Sequence, residues 1–258
     1  MHFTTLVAKI NAPLSLLLNH NNLKQNIMEL IDYKNLNASI SSSLSNGWAK
    51  MMKYFLPLFL VVVIIMVIEG PFSMSIKNNT HLSSTLVFFG IIAFIFGTAY
   101  FFLLKPIFRY SGKFIFIQAI RDKEVEVRNI IKGFDNYWNI VLANLLTTML
   151  IGLAFIALII PGIFVACRLA FVPYLVMDKN MEAIEAVETS WKLTKGYGWK
   201  IFGLALISIG IIIGGLLAFF VGIFPASIWI SASYASLYQG CLNEKAYMFE
   251  YENNVDSE

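Results

Sequence analysis

Six blocks of apolar residues alternate with short polar segments along this chain. The blocks show neither the two-residue alternation of a half-buried strand nor the polar stripe of a surface helix. Apolar stretches of about 20 residues are typical of helices that cross lipid. The pattern predicts an all-α polytopic membrane protein with about six transmembrane helices: Trp48–Ile68, Leu82–Leu104, Tyr137–Ile160, Ile163–Met177, Trp199–Val221 and Ala226–Leu242.

The same pattern predicts three parts in the chain. Residues 1–46 form a partly disordered cytoplasmic segment, residues 47–242 the six-helix membrane domain, and residues 243–258 an acidic cytoplasmic tail. Two basic amphipathic connectors, residues 105–136 and 178–200, interrupt the membrane domain. The first begins where Lys105 and Pro106 end the second span.

The turn between the third and fourth blocks is predicted at Pro161 and Gly162. Proline ends the incoming helix, and glycine permits the backbone angles of a reversal. A tight hairpin fits these two residues. Because the fourth block is short, a re-entrant or kinked arrangement is the alternative.

Charge sidedness orients the predicted spans. Five Lys and Arg residues lie in residues 1–53, seven in 105–136 and four in 178–200, whereas the opposite side carries only Lys77. Cytoplasmic loops are the ones enriched in Lys and Arg. Both termini are therefore predicted to be cytoplasmic.

Composition supports lipid as the main solvent. Hydrophobic residues make up 58% of the 258 residues and charged residues 14%, which differs from an ordinary soluble domain. A formal net charge of +3 is too small to indicate a nucleic-acid partner. The lipid bilayer is the partner that the composition predicts, and the oligomeric state is left open.

Arg168 is a charge within the predicted fourth span, and such a residue marks a functional site by default. In one interpretation Arg168 lies in the aqueous pathway of a transporter or permease component. In the other it snorkels, or donates to carbonyls that Pro161 and Pro173 leave free, and so locks the hairpin. Glu69, at the outer end of the first span, is the nearest acidic candidate partner.

Residues 178–200, here called the elbow, are predicted to contain an interfacial amphipathic helix. Asp178 or Asn180 caps its start, Glu188 pairs with Lys192, and Gly196 follows its end. The elbow is predicted to bind anionic lipid headgroups or another membrane protein, with a plain connector as the alternative. One face is predicted to carry Ala183, Ile184, Val187, Ser190, Trp191 and Thr194.

Motifs for catalysis or metal binding are missing from the sequence. The histidines His2, His20 and His81 are scattered, and Cys167 and Cys241 lie in apolar blocks, so we expect no metal, cofactor or disulfide. There is no phosphate-binding loop and no G-x-S-x-G motif. We expect a non-catalytic protein, and a membrane-embedded lipid enzyme is the weaker alternative.

Part of the chain resembles a bacterial membrane family. The matching residues are Ile160-Pro161-Gly162-Ile163, then Arg168, Phe171 to Asp178, and Ala183 to Phe202 with Ser190-Trp191-Lys192-Leu193-Thr194-Lys195-Gly196. They resemble the membrane domain of glycerophosphoryl diester phosphodiesterases and the YciC-like inner-membrane proteins. The likeness covers roughly residues 40–242 and is specific from Pro161 to Phe202.

The resemblance implies a six-helix module of the inner (cytoplasmic) membrane, mostly of unknown function. Phosphodiesterase activity in that family belongs to a separate soluble domain, so no catalytic residue is carried over. The sequence thus predicts a scaffold or accessory protein. Its candidate functional or structural residues are Pro161, Gly162, Arg168, Ser190, Trp191, Lys192, Lys195 and Gly196.

Overall fold

The computed structural model describes residues 36–69, 92, 95–217 and 221–255, and this part of the chain is helical without strands. Nine α-helices are described: α1 Ile40–Lys53, α2 Phe55–Glu69, α3 Lys105–Ile120, α4 Tyr137–Ala157, α5 Ile159–Arg168, α6 Val172–Lys179, α7 Ala183–Leu193, α8 Gly198–Leu217 and α9 Ile223–Val255. A π-helical turn at Tyr100–Leu104 precedes α3, and a 3-10 helix at Val127–Asn136 precedes α4.

Helix α9 is the centre of the packing. It lies against α1, α2, α3 and α8, and α1 makes the most extensive of these contacts. Small residues permit the close approach: a Cβ added at Gly47 would lie 2.4 Å from the Ser233 hydroxyl oxygen. The Trp229 indole N–H also donates to the Leu44 carbonyl at 2.9 Å. Residues 36–53 therefore pack as part of the bundle.

Three helical stretches are long and apolar enough to cross a membrane: Val127–Ala157, Ile159–Lys179 and Gly198–Leu217. The bent pair formed by α1 and α2 raises the number to four if it counts as one span. Helix α9 is long enough but less apolar, since its buried face includes Ser233, Ser236 and Gln239. Within the described ranges, the predicted count of six spans is therefore supported only in part.

The predicted first span is not a single helix. Helices α1 and α2 meet at an angle of 98°, and Tyr54 between them has non-helical backbone angles. Lys50, Lys53 and Tyr54 all bind the Asp122 carboxylate, which holds the chain at this bend. The apolar run divides into a packed amphipathic helix and a 15-residue helix, α2.

The predicted second span lies mostly outside the described residues, but its end is described. Lys105 and Pro106 were expected to end the helix, but they do not. Helical backbone continues through the π turn into α3. The Lys105 N–H donates to the Tyr100 carbonyl, five residues back. This wider turn accommodates a proline, which cannot donate to the carbonyl four residues before it. The start of the first connector is therefore a buried helix.

The turn after α4 lies at Leu158, whose backbone is extended, so the predicted hairpin position at Pro161 and Gly162 is wrong. Pro161 falls in the first turn of α5, where a missing N–H breaks no helical hydrogen bond. Gly162 instead provides room for a ring: an added Cβ would lie 2.5 Å from Phe155 of α4. These two residues shape the α4–α5 contact rather than the reversal.

The predicted part boundaries fall inside helices. Residue 46 lies within α1, and residue 243 lies within α9, which continues to Val255. The first 35 residues of the predicted cytoplasmic segment, the Lys77 loop and the last three residues of the tail lie outside the described residues.

Candidate functional site

Arg168 ends α5 and faces the elbow helix α7. Its guanidinium carbon lies 4.9 Å from the centre of the Phe164 ring and 5.5 Å from that of the Trp191 ring. Its Nη1 donates to the Trp191 carbonyl over a long distance of 3.4 Å, and its buried Nε has no hydrogen-bond partner. We call Phe164, Arg168 and Trp191 the arginine cluster.

The backbone of Arg168 is held as firmly as its side chain. Its carbonyl accepts a hydrogen bond from the Ser190 hydroxyl at 2.8 Å and lies 3.2 Å from the Thr194 hydroxyl. Residues 169–171 interrupt the α-helix after Arg168, so this carbonyl has no partner one turn further on. Ser190 and Thr194 thereby connect the fourth apolar block to the elbow.

Arg168 does not bind the carbonyls that the sequence predicts as its partners. The side chain donates to the carbonyl of Trp191 on α7, not to carbonyls freed by Pro161 or Pro173. Glu69 ends α2, and its side chain lies outside the described residues. The sequence missed the Trp191 contact because 23 residues separate the two positions.

The elbow helix forms where the sequence predicts it, but its start is different. Neither Asp178 nor Asn180 caps it: Asp178 lies within α6, and Asn180 ends α6 in the left-handed conformation with φ 52°. Glu182 is the N-cap, without a side-chain hydrogen bond. Gly196 follows the end with φ +92°, a conformation that favours glycine, as expected.

The packed face of α7 is rotated from the predicted one. The buried residues are Ala183, Ala186, Ser190, Leu193 and Thr194, whereas Ile184 is 68% exposed and Trp191 43% exposed. Small side chains at 183, 186 and 190 let α7 lie against α4 and α6. Ile184 and Trp191 therefore remain on the outside of the elbow.

Charged residues share this outer surface. Lys192 and Glu188 are exposed and form the predicted pair at 3.8 Å. Lys195, four residues after Trp191 in the chain, is exposed as well. The outer surface of the elbow thus combines exposed Ile184 and Trp191 with two lysines.

A buried ion pair anchors the beginning of the elbow. Arg121 donates to both oxygens of the Asp178 carboxylate at 2.5 and 2.8 Å, and the Tyr238 hydroxyl donates to the same carboxylate at 3.1 Å. The Arg121 Nε donates to Gln239 at 2.8 Å. Since the two charged side chains are 14% and 3% exposed, this cluster is enclosed by the bundle.

A second charged cluster lies beside the first in the sequence. Lys50, Lys53 and Tyr54 surround Asp122, whose side chain is 2% exposed. Burial alone would raise the pKa of the Asp122 carboxyl, but hydrogen bonds from both lysines and their charges hold that pKa below its usual range. Asp122 also has a positive φ of 50°.

Sequence reasoning missed both clusters. Lys50, Lys53 and Arg121 appeared only as charges that set the topology, and Asp178 as a cap. The signal available was that acidic residues at 122 and 178 lie close to long apolar blocks, where a buried charge needs a partner. The partners are 57 to 72 residues away, which no local pattern reveals.

Metal chemistry finds no support in the described ranges. No group of three or more His, Cys, Asp or Glu side chains is arranged there to hold a metal ion. Cys167 and Cys241 are buried free thiols.

The fold and the site together define an all-helical protein with three or four candidate membrane-spanning helices and a helical elbow attached to a buried charged cluster. In comparisons with known proteins, no family model, no curated protein and no solved structure matches the chain. The family resemblance and the inner-membrane location therefore stay predictions.

Proposed function

We propose that this protein is a non-catalytic, multi-pass inner-membrane protein whose elbow binds anionic lipid headgroups. In this proposal the chain crosses the membrane six times, both termini are cytoplasmic, and the protein acts as a scaffold or accessory. The elbow is the surface by which it recognises its lipid surroundings.

The observation that carries this proposal is the division of α7 into two faces. The buried face is attached to the bundle through Ser190 and Thr194, so the helix is not free to turn. Ile184 and Trp191 are exposed on the outer face, where Lys192 and Lys195 lie toward its C-terminal end and the exposed Glu182, Glu185 and Glu188 toward its start. Apolar, aromatic and basic residues together are typical of helices at an anionic membrane surface.

Two exposed tryptophans support the same placement. Trp138 at the start of α4 is 71% exposed, and Trp199 at the start of α8 is 84% exposed. Tryptophan is enriched at membrane–water interfaces, where its ring is apolar and its N–H is wet. The predicted sidedness puts both tryptophans at the cytoplasmic ends of their spans.

A thermal-shift titration of the purified full-length protein tests headgroup binding. A ligand that binds only the folded state raises the unfolding temperature. We expect phosphatidylglycerol to raise it more than phosphatidylcholine does, and the variant K192Q/K195Q to lose most of this difference. K123Q, an exposed lysine outside the elbow, is the matched control and should keep it. Equal shifts with both lipids contradict the proposal.

Cysteine labelling in sealed vesicles tests the six-span topology. K77C is expected to react from one side of the membrane, and K123C and K192C from the other. Labelling of all three from the same side would contradict the proposed count of six spans.

A transporter or permease component is the second candidate function, favoured by the position of Arg168. This charge lies at the break between α5 and α6, within the 21-residue apolar stretch Ile159–Lys179. If R168A and R168L fold with normal unfolding temperatures but abolish flux of a solute in vesicles, the transport function replaces the scaffold function. Normal flux in both variants removes Arg168 from any pathway.

A further inference from the structure

We propose that Arg168 is the phosphate-binding residue of the elbow, and that its ligand is the phosphodiester group of an anionic phospholipid. The inference rests on the proposed headgroup-binding function and assigns it to one side chain. The arginine cluster, Phe164, Arg168 and Trp191, forms the site.

Arg168 has hydrogen-bonding capacity that its described contacts do not use. A guanidinium group has five N–H donors in a fixed planar arrangement. The described residues accept one hydrogen bond from this side chain, the long one from Nη1 to the Trp191 carbonyl at 3.4 Å. The Nε–H is buried and has no acceptor. Because Nε is buried, an incoming acceptor meets the terminal nitrogens, whose described hydrogen bond is exposed and long.

Two aromatic rings hold the guanidinium of Arg168 in place. The Phe164 and Trp191 rings are nearly perpendicular to each other, at 82°, with their centres 6.1 Å apart. Arginine interacts with aromatic faces while its terminal nitrogens remain available for a planar, bidentate acceptor. A phosphate group is such an acceptor. Little side-chain freedom is left to lose when the ligand binds.

Two lysines offset the partial negative charges of the helix ends near the arginine cluster. Arg168 ends α5, and Trp191 lies in the last turn of α7, so the partial negative charges of two helix ends lie near the cluster. Lys192 and Lys195 add positive charge to the same end of α7. Lys192 already pairs with Glu188. Lys195 is therefore the better candidate for a second contact, after Arg168, with a bound anion.

Neighbouring apolar side chains favour a lipid over free phosphate. Phe164 is 49% exposed, Ile160 82% and Ile163 36%, and all three belong to α5. A phospholipid bound through its phosphate at Arg168 would place its acyl chains along this surface. Inorganic phosphate has no apolar part that could pack against this surface.

Native mass spectrometry of the full-length protein in detergent tests the assignment. Phosphatidylglycerol and phosphatidylcholine are titrated separately, and the dissociation constant of the first bound lipid is measured for each. We expect R168Q to weaken phosphatidylglycerol binding about five-fold or more, as for the loss of one cationic contact at an anionic surface. Phosphatidylcholine carries the same phosphodiester, but its choline ammonium offsets the negative charge, so its binding should weaken less than that of phosphatidylglycerol.

R128Q is the matched control, because Arg128 is an exposed arginine of the first connector. It should retain the wild-type affinity. R168K preserves the charge and loses the planar fork, so we expect an intermediate affinity. If R168Q does not fold, R168K carries the test through the same comparison, with the unfolding temperature in the absence of lipid as the folding check.

The outcomes separate this inference from the proposed function. A phosphatidylglycerol affinity that R168Q leaves unchanged, or that R168K leaves unchanged where R168Q does not fold, overturns the Arg168 assignment and leaves headgroup binding in place. Absence of any preference in the wild-type protein overturns both. Competition by inorganic phosphate at the same concentration as the lipid would show that the site takes free phosphate, which contradicts the lipid assignment.

Discussion

Replacing Asp178 with asparagine perturbs the ion pair that fastens the elbow to the bundle. The substitution preserves the shape of the side chain and removes its charge. Arg121, whose side chain is 14% exposed, then keeps Gln239 and one amide oxygen as neutral acceptors and loses the charged bidentate contact with the carboxylate. The result is a buried positive charge without an opposite charge.

The expected magnitude follows from this burial. Removing one partner of a buried pair costs about 3 to 5 kcal/mol, because the remaining charge stays out of water. A destabilisation of 1 kcal/mol lowers the unfolding temperature of a chain of this size by about 2 to 4 °C. We therefore expect D178N to lower the unfolding temperature by roughly 6 to 20 °C.

Thermal unfolding of the purified protein in one detergent, scanned at a fixed rate, measures this effect. E188Q is the matched control: it neutralises an acidic residue of an exposed pair, which contributes at most about 1 kcal/mol. R121Q/D178N removes both charges and should be less destabilised than the sum of the two single variants. Equal unfolding temperatures for D178N and E188Q, or strictly additive single effects, would refute the reasoning.

Three further predictions concern single side chains. S190A removes the 2.8 Å hydrogen bond to the Arg168 carbonyl and should cost about 1 kcal/mol of unfolding free energy, whereas T189A on the neighbouring position should cost less. G162A brings a Cβ within 2.5 Å of the Phe155 ring and should destabilise by about 1 to 3 kcal/mol; G152A, with nothing within 4 Å, should be neutral or stabilising. Because the pKa of Asp122 is lower in the folded protein than its unfolded value of about 3.9, its contribution to stability is present above that value and is lost as the pH falls through the folded pKa. Acid titration of the unfolding temperature should therefore show a smaller decrease in D122N than in the wild-type protein.

The sequence predicts those helices that depend only on a long apolar run. The third and fifth blocks, Tyr137–Ile160 and Trp199–Val221, correspond closely to α4, which ends at Ala157, and α8, which begins at Gly198. Both are uninterrupted apolar runs, so local preference and environment agree. The elbow helix is similarly evident from its local pattern.

Features that depend on tertiary contacts were not predictable from such patterns. The bend at Tyr54 arises because Asp122 binds three residues around it. The rotation of α7 arises because small side chains pack against α4 and α6, which leaves Ile184 and Trp191 outside. In both cases the deciding partner lies far away in the chain, and hydrophobic periodicity carries no information about it.

The elbow is held to the bundle at both of its ends, and this arrangement has a consequence for binding. Asp178 is fixed by Arg121 before α7, and after α7 the Tyr197 hydroxyl donates to the Glu244 carboxylate at 2.6 Å. Glu244 also accepts from the Ala38 backbone N–H at 2.6 Å. A ligand bound at Arg168 therefore lies against the elbow, and the elbow is connected to α3, α9 and the segment before α1. A headgroup bound at the arginine cluster would stabilise these contacts along with it, since binding to the folded state alone stabilises all that folds with the site.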